Sequence, residues 1–373
     1  FNMQVFLVGG AVRDKLMGVP NNDKDYLVVG ADYAELLKRG FKNVGESFPV
    51  FLHPETGDEW ALARTERKTG KGYTGFETYF GGDVTLADDL MRRDLTINAM
   101  AEDVETGELH DPFNGRADME AKLLRHVSEA FREDPLRVVR LARFFSRFTD
   151  FDIAMPTLRF AQDVVRSGEM DELSNERFWS EMAKAMEQSP DPVRFFDALY
   201  KFGVFKDVKF FNSIWGEVDQ FTVNTTWKRV LDATSFVDVT ERMKMFVALT
   251  AKPDAKFPAG SSELVGLFEL VQMAKKSRQD SRCDLLDMAT KAKAFGENLS
   301  FVAEFVRTLK VAEQGFVKVG VSADQFERGV IAARKVTSEP FRHLQGKAIG
   351  EAMRHARLDA IDSTLKRPLK YTA

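Results

Sequence analysis

The chain has 373 residues, 44% of them hydrophobic and 29% charged, with a formal net charge of −4. These values are ordinary for a globular protein of about two or three domains, and they exclude a chain that binds nucleic acid through overall positive charge. A single cysteine excludes an internal disulfide, and five scattered histidines leave little for a zinc site. No apolar run approaches the roughly 20 residues of a membrane span, so we expect a cytosolic protein.

The stretch at residues 6–29 contains two short apolar runs, the first of which ends at Gly9-Gly10. This pattern predicts a buried strand, a turn and a short helix over residues 11–17, whose first N–H groups can bind a triphosphate. Asp23 and Asp25 open the second run, and in a strand such a pair projects from one face about 6–7 Å apart. Two carboxylates so placed can share divalent cations with substrate phosphates, although a D-x-D pair alone is more often a solvated turn.

The following segments extend this sheet. Residues 32–39 predict a helix, and residues 49–63 predict a hairpin with Glu59 at the start of its returning strand as a candidate third carboxylate. Residues 64–87, rich in Gly, Thr and Lys, show no sustained period and predict a mobile loop beside the site. Residues 100–111 predict a second hairpin.

Residues 86–101 have apolar residues at helical spacing and predict a mostly helical segment. Asp94 and Asn98 are four residues apart and therefore share a face of that helix. Arg93 and Asp94 together offer a cation for a phosphate and an acceptor for a ribose hydroxyl.

After residue 115, helical periods dominate the rest of the chain, and Glu133-Asp134-Pro135-Leu136-Arg137 is the most informative helix start. Asp134 suits an N-cap followed by proline at the first helical position, and we expect the Asp134 and Arg137 side chains to meet. Against cytosine or adenine, the carboxylate would accept from the amino group while the guanidinium donates to the ring nitrogen. Uracil and guanine would leave this pair unsatisfied. Taken alone, such a sequence is more often an N-capped helix with a local salt bridge.

Local basic patches supply the positive charge that the whole chain lacks. Arg177 and Glu181, at i and i+4 of a further helix, are expected to pair. The arginines and lysines group in one loop, along one predicted helix and at the C-terminus: Arg64, Arg67, Lys68 and Lys71; Arg132, Arg137, Arg140, Arg143 and Arg147; Arg354, Arg357, Lys366, Arg367 and Lys370. For any one patch a solvated face is the commoner meaning.

Five motifs in order resemble those of the class II tRNA nucleotidyltransferases of the polymerase-β-like superfamily, and in particular of the bacterial CCA-adding enzymes. The motifs are GGAVRD at 9–14 with DKD at 23–25, RRDLTINA at 92–99, DPFNG at 111–115 continuing to LR at 124–125, EDPLR at 133–137, and Glu176-Arg177 with Glu181. Each is weak alone, but their order and spacing together are specific.

The resemblance implies an α+β fold. Residues 1–112 would form a polymerase-β-like nucleotidyltransferase head with a mixed β-sheet. An all-α neck with base recognition (113–200), a body (201–300) and a tRNA-binding tail (301–373) would follow. Residues 344–350 with Arg357 resemble the tail that grips the tRNA elbow.

The resemblance also implies template-independent addition of C, C and A to the tRNA 3′ end from CTP and ATP, with release of pyrophosphate. Asp23 and Asp25 would hold Mg²⁺ ions that activate the terminal 3′-hydroxyl, with Glu59 beside them. Residues 64–87 resemble the loop that helps the switch from C to A. The nucleotide-binding residues would be Gly10, Arg13, Arg93, Asp94, Asn98, Asp134, Arg137, Arg140 and Arg143.

The C-terminal half departs from the enterobacterial members, which carry a metal-dependent HD phosphohydrolase domain there. Ala251-Lys252 stands where His-Asp would be expected, and His110-Asp111 belongs to the hinge motif. We therefore expect a degenerate HD-like body without phosphodiesterase activity.

Three other functions stay open at this point. A bacterial poly(A) polymerase would share the same head, and a partial enzyme would add only CC or only A. A non-catalytic RNA-binding protein would have kept the fold without the reaction.

Overall fold

The computed structural model describes residues 3–45, 49–70 and 75–365. The chain divides into two compact units, Phe1–Asn212 and Ser213–Ala373. A mixed sheet with helices forms the first unit, and the described residues of the second are helical, so the predicted α+β class is confirmed. The finer division at residues 112, 200 and 300 stays a prediction. Lys71 and residues 366–373, which contain part of two predicted basic patches, lie outside the described residues.

The first unit alternates short strands and helices before it becomes mainly helical. Its first elements are β1 (Gln4–Val8), α1 (Gly10–Met17), β2 (Asp25–Val29), α2 (Tyr33–Lys38), β3 (Lys42–Asn43), β4 (Val50–Leu52), β5 (Glu59–Leu62), β6 (Thr65–Lys68), β7 (Phe76–Tyr79), α3 (Leu86–Met91), β8 (Ala101–Asp103), β9 (Leu109–His110), α4 (Gly115–Glu120) and β10 (Leu123–Leu124). The remaining ones are α5 (Leu136–Arg147), β11 (Asp152–Ile153), α6 (Met155–Arg166), α7 (Asn175–Gln188), α8 (Val193–Phe202) and α9 (Val204–Asp207), and α10 (Lys209–Trp215) spans the boundary.

Seven strands form one sheet in the order β3-β4-β5-β2-β1-β8-β9. Neighbouring strands are antiparallel except β2 and β5, which run parallel. Val8 at the end of β1 lies opposite Asp25 at the start of β2. The turn after β1 and the aspartates before and in β2 are therefore neighbours at one edge. The predicted first strand and the hairpins at 49–63 and 100–111 are confirmed.

Each face of the sheet has its own hydrophobic core, because successive strand residues point to opposite sides. Leu27 belongs to the cluster that contains Leu90 of α3. Val28 belongs to the other cluster, with Leu36 of α2 and Phe51 of β4. Helix α3 thus contributes to the core on one side of the sheet, and α2 contributes to the core on the other side.

The predicted mobile loop at residues 64–87 contains two strands, so the prediction that it is a loop throughout is wrong. Within it β6 and β7 form an antiparallel hairpin in which Thr65 lies opposite Tyr79 and Arg67 opposite Glu77. The threonine and aromatic residues that interrupt the polar sequence are the types that favour strands. Residues 71–74, between these strands, lie outside the described residues.

The predicted helical segment at residues 86–101 is not one continuous helix. Helix α3 ends at Met91, and only a short 3₁₀ helix follows at Thr96–Asn98. The buried Asp89 carboxylate binds Arg92 at 3.0 Å and Arg93 at 3.1 Å. These ion pairs hold both arginines at the end of the helix, where the chain turns.

Helix α5 is amphipathic and packs against α7 and α8. Leu141 and Phe145 are buried in the core, while arginines occupy another side. The helix begins at Leu136, one residue later than predicted. The Asp134 carboxylate accepts a hydrogen bond from the Leu136 N–H at 3.1 Å. Arg132 lies in the preceding 3₁₀ helix, so it does not belong to the row of arginines along α5 as predicted.

Gly115, in the predicted hinge motif, lies where α4 packs against the 3₁₀ helix at Thr96–Asn98. A Cβ atom at this glycine would lie 2.1 Å from the Thr96 carbonyl oxygen. Any side chain would therefore force the backbone apart. This close packing fixes the segment that follows Arg93 and Asp94.

The described part of the second unit is an array of helices: α11 (Gln220–Thr222), a π-helical turn (Val223–Trp227), α12 (Lys228–Ala233), α13 (Val239–Thr250), α14 (Ser262–Lys276), α15 (Arg282–Lys291), α16 (Ser300–Ala312), α17 (Ala323–Arg334) and α18 (Lys347–Leu365). Helices α13 to α18 pack against one another, with Phe305 meeting Phe326 edge to face at 5.0 Å. Across the described ranges, none of the helices has the length and apolar character needed to cross a membrane.

Candidate active site

A cavity of about 610 Å³ in the first unit collects side chains from both the sheet region and the helices. Its lining residues come from the turn after β1, the start of β2, the end of α3 and one side of α5 and α7: Gly9, Gly10, Ala11, Arg13, Asn21, Asp23, Asp25, Arg92, Arg93, Asp94, Asn98, Asp134, Leu136, Arg137, Arg140, Arg143, Phe144, Arg147, Arg177, Lys184 and Gln188. Eleven of the twelve predicted site residues are in this set, and Glu59 is the exception. Their roles stay predictions.

The turn after β1 and the two aspartates form one part of the cavity wall. Gly9 has a φ of 69°, a left-handed conformation that favours glycine, and a Cβ there would lie 3.3 Å from the Arg93 guanidinium. Gly10 begins α1, so the N–H groups of its first turn have no partner within the helix. Asp25 begins β2, but Asp23 lies in the loop before it, so the prediction that both stand on the strand is wrong.

A chain of buried hydrogen bonds crosses from α1 to α5. Arg13 Nη1 donates to Asn98 Oδ1 at 2.6 Å, and Asn98 Nδ2 donates to Asp94 Oδ1 at 3.1 Å. The other oxygen of Asp94 accepts from Arg140 Nε at 2.8 Å. The Arg13 guanidinium also lies over the Phe144 ring at 5.3 Å. Asp94 and Asn98 are thus neighbours, as their spacing predicts, although the segment is not a continuous helix.

Asp94 and Arg140 hold each other in the charged form. Burial by itself would raise the pKa of Asp94, but the Arg140 charge and the Asn98 hydrogen bond outweigh burial and hold that pKa well below its usual range. The Asp94 charge in turn raises the pKa of Arg140, against the effect of burial. An ionised Asp94 oxygen at the cavity wall is a strong acceptor for a hydroxyl group.

Asp134 and Arg137 have separate partners, so the prediction that they contact each other is wrong. Arg177 of α7 donates to both oxygens of Asp134, at 3.2 and 2.7 Å. The two N–H groups of the Arg177 guanidinium thus bind both carboxylate oxygens at once, which makes a strong bidentate ion pair. Arg137 donates to the backbone carbonyl oxygens of Ala130 and Arg92, the latter at 2.5 Å. Both side chains nevertheless line the cavity.

Glu181 pairs with Arg143 of α5 at 2.5 Å, with both side chains almost fully buried. The predicted pairing of Arg177 with Glu181 is therefore wrong. The buried Arg143 guanidinium needs a carboxylate beside it, because an unpaired buried charge is unfavourable. Glu181 of α7 therefore pairs with Arg143 of α5 and not with Arg177 of its own helix. Together with the Asp134 fork, this ion pair fixes α7 against α5 along one wall of the cavity.

The charge of the cavity suits an anionic ligand, since nine arginine or lysine side chains and four aspartates line it. Asp23 and Asp25 are exposed at this wall. Mg²⁺ is commonly held by one or two carboxylates together with substrate phosphates, and these two aspartates meet that requirement. Within the described ranges, no group of three or more His, Cys, Asp or Glu side chains is placed to hold a metal ion.

Glu59 stands directly beside Asp25 in the sheet, because β2 and β5 align these two residues. Its side chain is exposed but does not line the cavity. A catalytic role for Glu59 stays a prediction.

The predicted motifs and site residues do not include Asn21, Phe144, Lys184 and Gln188, all of which line the cavity. Arg147, which the sequence analysis named only in a basic patch, lines it as well. Arg147 follows Arg143 by four residues on α5, and its place on an arginine-rich helix is what assigned it to that patch. Lys184 and Gln188 are likewise one turn apart on α7. Asn21 had no signal, because its position depends on a hydrogen bond to the Asp14 side chain of α1.

Comparison with known proteins places the chain in a family. A model of the poly A polymerase head domain matches residues 5–125. A CCA-adding enzyme of Marinobacter nauticus is 41% identical over 393 aligned positions, which cover 98% of this chain and 100% of that protein. A multifunctional CCA protein of Hahella chejuensis is 58% identical over 195 positions, which cover 52% of this chain and 46% of that protein.

The fold has solved counterparts as well. A Thermotoga maritima CCA-adding enzyme, solved in complex with tRNA, superposes with a TM-score of 0.59 at 22% identity, covering 97% of this chain and 88% of that one. At this identity the likeness concerns the architecture alone. The Marinobacter nauticus enzyme, by contrast, is 41% identical over the whole of its length, and this likeness shows that the chain belongs to the family of the CCA-adding enzymes.

Proposed function

We propose that this chain adds C, C and A in turn to the 3′ end of tRNA from CTP and ATP, releases pyrophosphate and uses no nucleic-acid template. One observation carries the proposal: Asp23 and Asp25 line the same cavity as Asp134 and Arg137. A pair suited to nucleotidyl transfer and a pair suited to base selection thus share one site. The names of the family members support this function. We infer that the reaction takes place in the cytosol, where tRNA and both nucleotides are found.

Asp23 and Asp25 are the residues that would hold the divalent metal of this family, and we propose that the metal is Mg²⁺. When bound, Mg²⁺ activates an attacking hydroxyl and stabilises the charge that develops on the phosphates. The protein supplies two carboxylates at the edge of a rigid sheet, next to the first turn of α1. Their position beside backbone N–H groups suits a triphosphate whose reacting phosphorus lies near both.

The nucleotide phosphates and ribose would bind beside these aspartates. We propose that the N–H groups at Gly10 and the Arg93 guanidinium bind the phosphates, and that Asp94 accepts from a ribose hydroxyl. Arg140 and Arg143 are already paired with carboxylates. We therefore infer that they hold those carboxylates in place and raise the local positive potential.

The base would be selected by Asp134 and Arg137. Arg177 fixes the plane of the Asp134 carboxylate, whose Oδ2 accepts from one of the two Arg177 donors and can still accept from an amino group. The Arg137 guanidinium, fixed by two backbone carbonyls, would donate to the ring nitrogen. Cytosine and adenine satisfy both groups, whereas uracil and guanine leave buried polar groups unpaired.

A tRNA that lacks its last three nucleotides provides the test. The purified protein is incubated with this tRNA and with CTP, ATP or both, and the products are sequenced. We expect two C residues with CTP alone, one further A when ATP is present, and then termination. Long A tails without use of CTP would instead indicate a poly(A) polymerase, and a product that stops after CC, or that gains A only on a CC-ended tRNA, would indicate a partial enzyme.

A further inference from the structure

Asn21 lies in the loop between α1 and β2, and both ends of its amide are hydrogen-bonded. Its Oδ1 accepts from the backbone N–H of Asp23 at 2.8 Å. Its Nδ2 donates to Oδ2 of Asp14 at 2.7 Å. An asparagine that bonds to the backbone two residues further on restricts the conformation of that backbone. Here the hydrogen bond to Asp14 also fixes the asparagine side chain itself.

Asp14 is a rigid anchor for this contact. Its side chain is almost fully buried in α1, and Oδ1 accepts from Arg13 Nε at 2.8 Å. Arg147 of α5 approaches the other oxygen at 3.5 Å. The Asp14 carbonyl oxygen also accepts from the Val19 N–H at 2.9 Å. The backbone and the side chain of Asp14 therefore both hold the loop that leads to β2.

The two aspartates of the site differ in what fixes them. Asp25 belongs to β2, where pairing with β1 on one side and β5 on the other holds its backbone. Asp23 precedes the strand, so the sheet does not fix it. The contact from Asn21 reaches the backbone of this less constrained residue.

We propose that Asn21 is a positioning residue for Asp23. The relay from Asp14 through Asn21 to the Asp23 N–H holds the Asp23 carboxylate at the cavity before any cation or nucleotide binds. Through Arg147, the same relay connects the metal-binding loop to α5, which Asp134 precedes by two residues. This inference rests on the proposed role of Asp23 as a metal ligand.

The test compares Asn21→Ala with Asn22→Ala in the full-length protein. Asn22 is the adjacent residue and is exposed, which makes it a matched control. Binding of Mn²⁺ alone is followed by electron paramagnetic resonance. We expect Asn21→Ala to weaken Mn²⁺ binding about 10-fold, as loss of a residue that orients a metal ligand does, and Asn22→Ala to bind like the wild type.

A second measurement needs no metal. Hydrogen exchange of the Asp23 amide should be faster in metal-free Asn21→Ala than in Asn22→Ala, because its acceptor has been removed. Asn21→Asp keeps an acceptor for that amide, so its exchange should be slower than in Asn21→Ala. Equal Mn²⁺ affinity and equal exchange in the variants and the wild type would overturn the positioning role.

Asp23→Ala distinguishes failure of this inference from failure of the proposed function. If Asp23→Ala loses Mn²⁺ affinity while Asn21→Ala does not, only the relay is wrong. If Asp23→Ala binds Mn²⁺ like the wild type, Asp23 is not a ligand and both proposals fail. Matching thermal melting curves establish that each variant is folded.

Discussion

Asp94 is almost fully buried and yet charged, because three donors meet its two oxygens. Arg140 and Asn98 donate from their side chains, and the Leu95 N–H donates from the backbone at 2.8 Å. The charged form is favoured by all three contacts. The stability of the first unit should therefore depend on pH through this residue.

Replacing Asp94 by asparagine removes the counter-charge of Arg140 and should lower the free energy of unfolding of the first unit by about 3 kcal/mol near neutral pH. The pKa of Asp94 in the folded protein lies below its unfolded value of about 3.9. The ionised carboxylate thus stabilises the fold above that value, and this contribution is lost as the pH falls toward the folded pKa. Urea unfolding across this range should show the wild type and Asp94→Asn converging at low pH, and a difference that stays constant would contradict the assignment.

Asp134 determines the base in our account, because only an acceptor at that position suits the amino groups of C and A. Asp134→Asn supplies an amide that can also donate to the carbonyl of uracil. We expect the ratio of kcat/KM for CTP over UTP to fall by about 100-fold or more. The ratio is measured within one preparation, so partial unfolding does not affect it. Asp163→Asn, at an exposed position of α6, should leave the ratio unchanged, and an unchanged ratio in Asp134→Asn would refute the role.

At the scale of elements, the Arg143–Glu181 ion pair is a buried link between α5 and α7. Glu181→Ala leaves the Arg143 guanidinium buried without its carboxylate and should lower the free energy of unfolding by about 3–5 kcal/mol. Lys184→Ala, which removes only a half-exposed contact to the same glutamate at 3.5 Å, should cost less than about 1 kcal/mol. Urea denaturation of both variants measures the difference, and similar losses for the two would show that the buried pair does not hold α7.

Elements with local signals could be predicted from the sequence. Gly18 ends α1 in a left-handed conformation, and the Asp32 side chain caps α2, and both boundaries follow from residue type alone. The end of α3 could not be predicted, because it depends on a buried carboxylate that binds two arginines. The same holds for Arg177, whose partner Asp134 lies on another element.

The candidate site follows the same division. The motifs predicted eleven residues that line one cavity. They did not predict which of these side chains pair with each other, because the pairs form between elements that are distant in the sequence. For Glu59, the sequence correctly predicts its place at the start of the returning strand, next to Asp25. Its side chain nevertheless does not line the cavity. Asn21 was missed because an asparagine in a polar loop looks like any other until its two hydrogen bonds are seen.

At the scale of the whole molecule, every residue that lines the cavity belongs to the first unit. We expect chemistry and base selection to reside in the first unit, while the predicted tail at residues 301–373 would bind tRNA.

The central claim is that Asp23 and Asp25 form the reaction centre of this cavity, and Asp25→Asn tests it most directly. The substitution keeps the size of the side chain and removes the charge that a divalent ion needs. In single-turnover addition of C to truncated tRNA, we predict that the rate falls about 1000-fold or more. Asp32→Asn, which keeps the cap of α2 in the same unit, should react like the wild type. An Asp25→Asn protein that is folded and retains more than about a tenth of the wild-type rate would contradict the account.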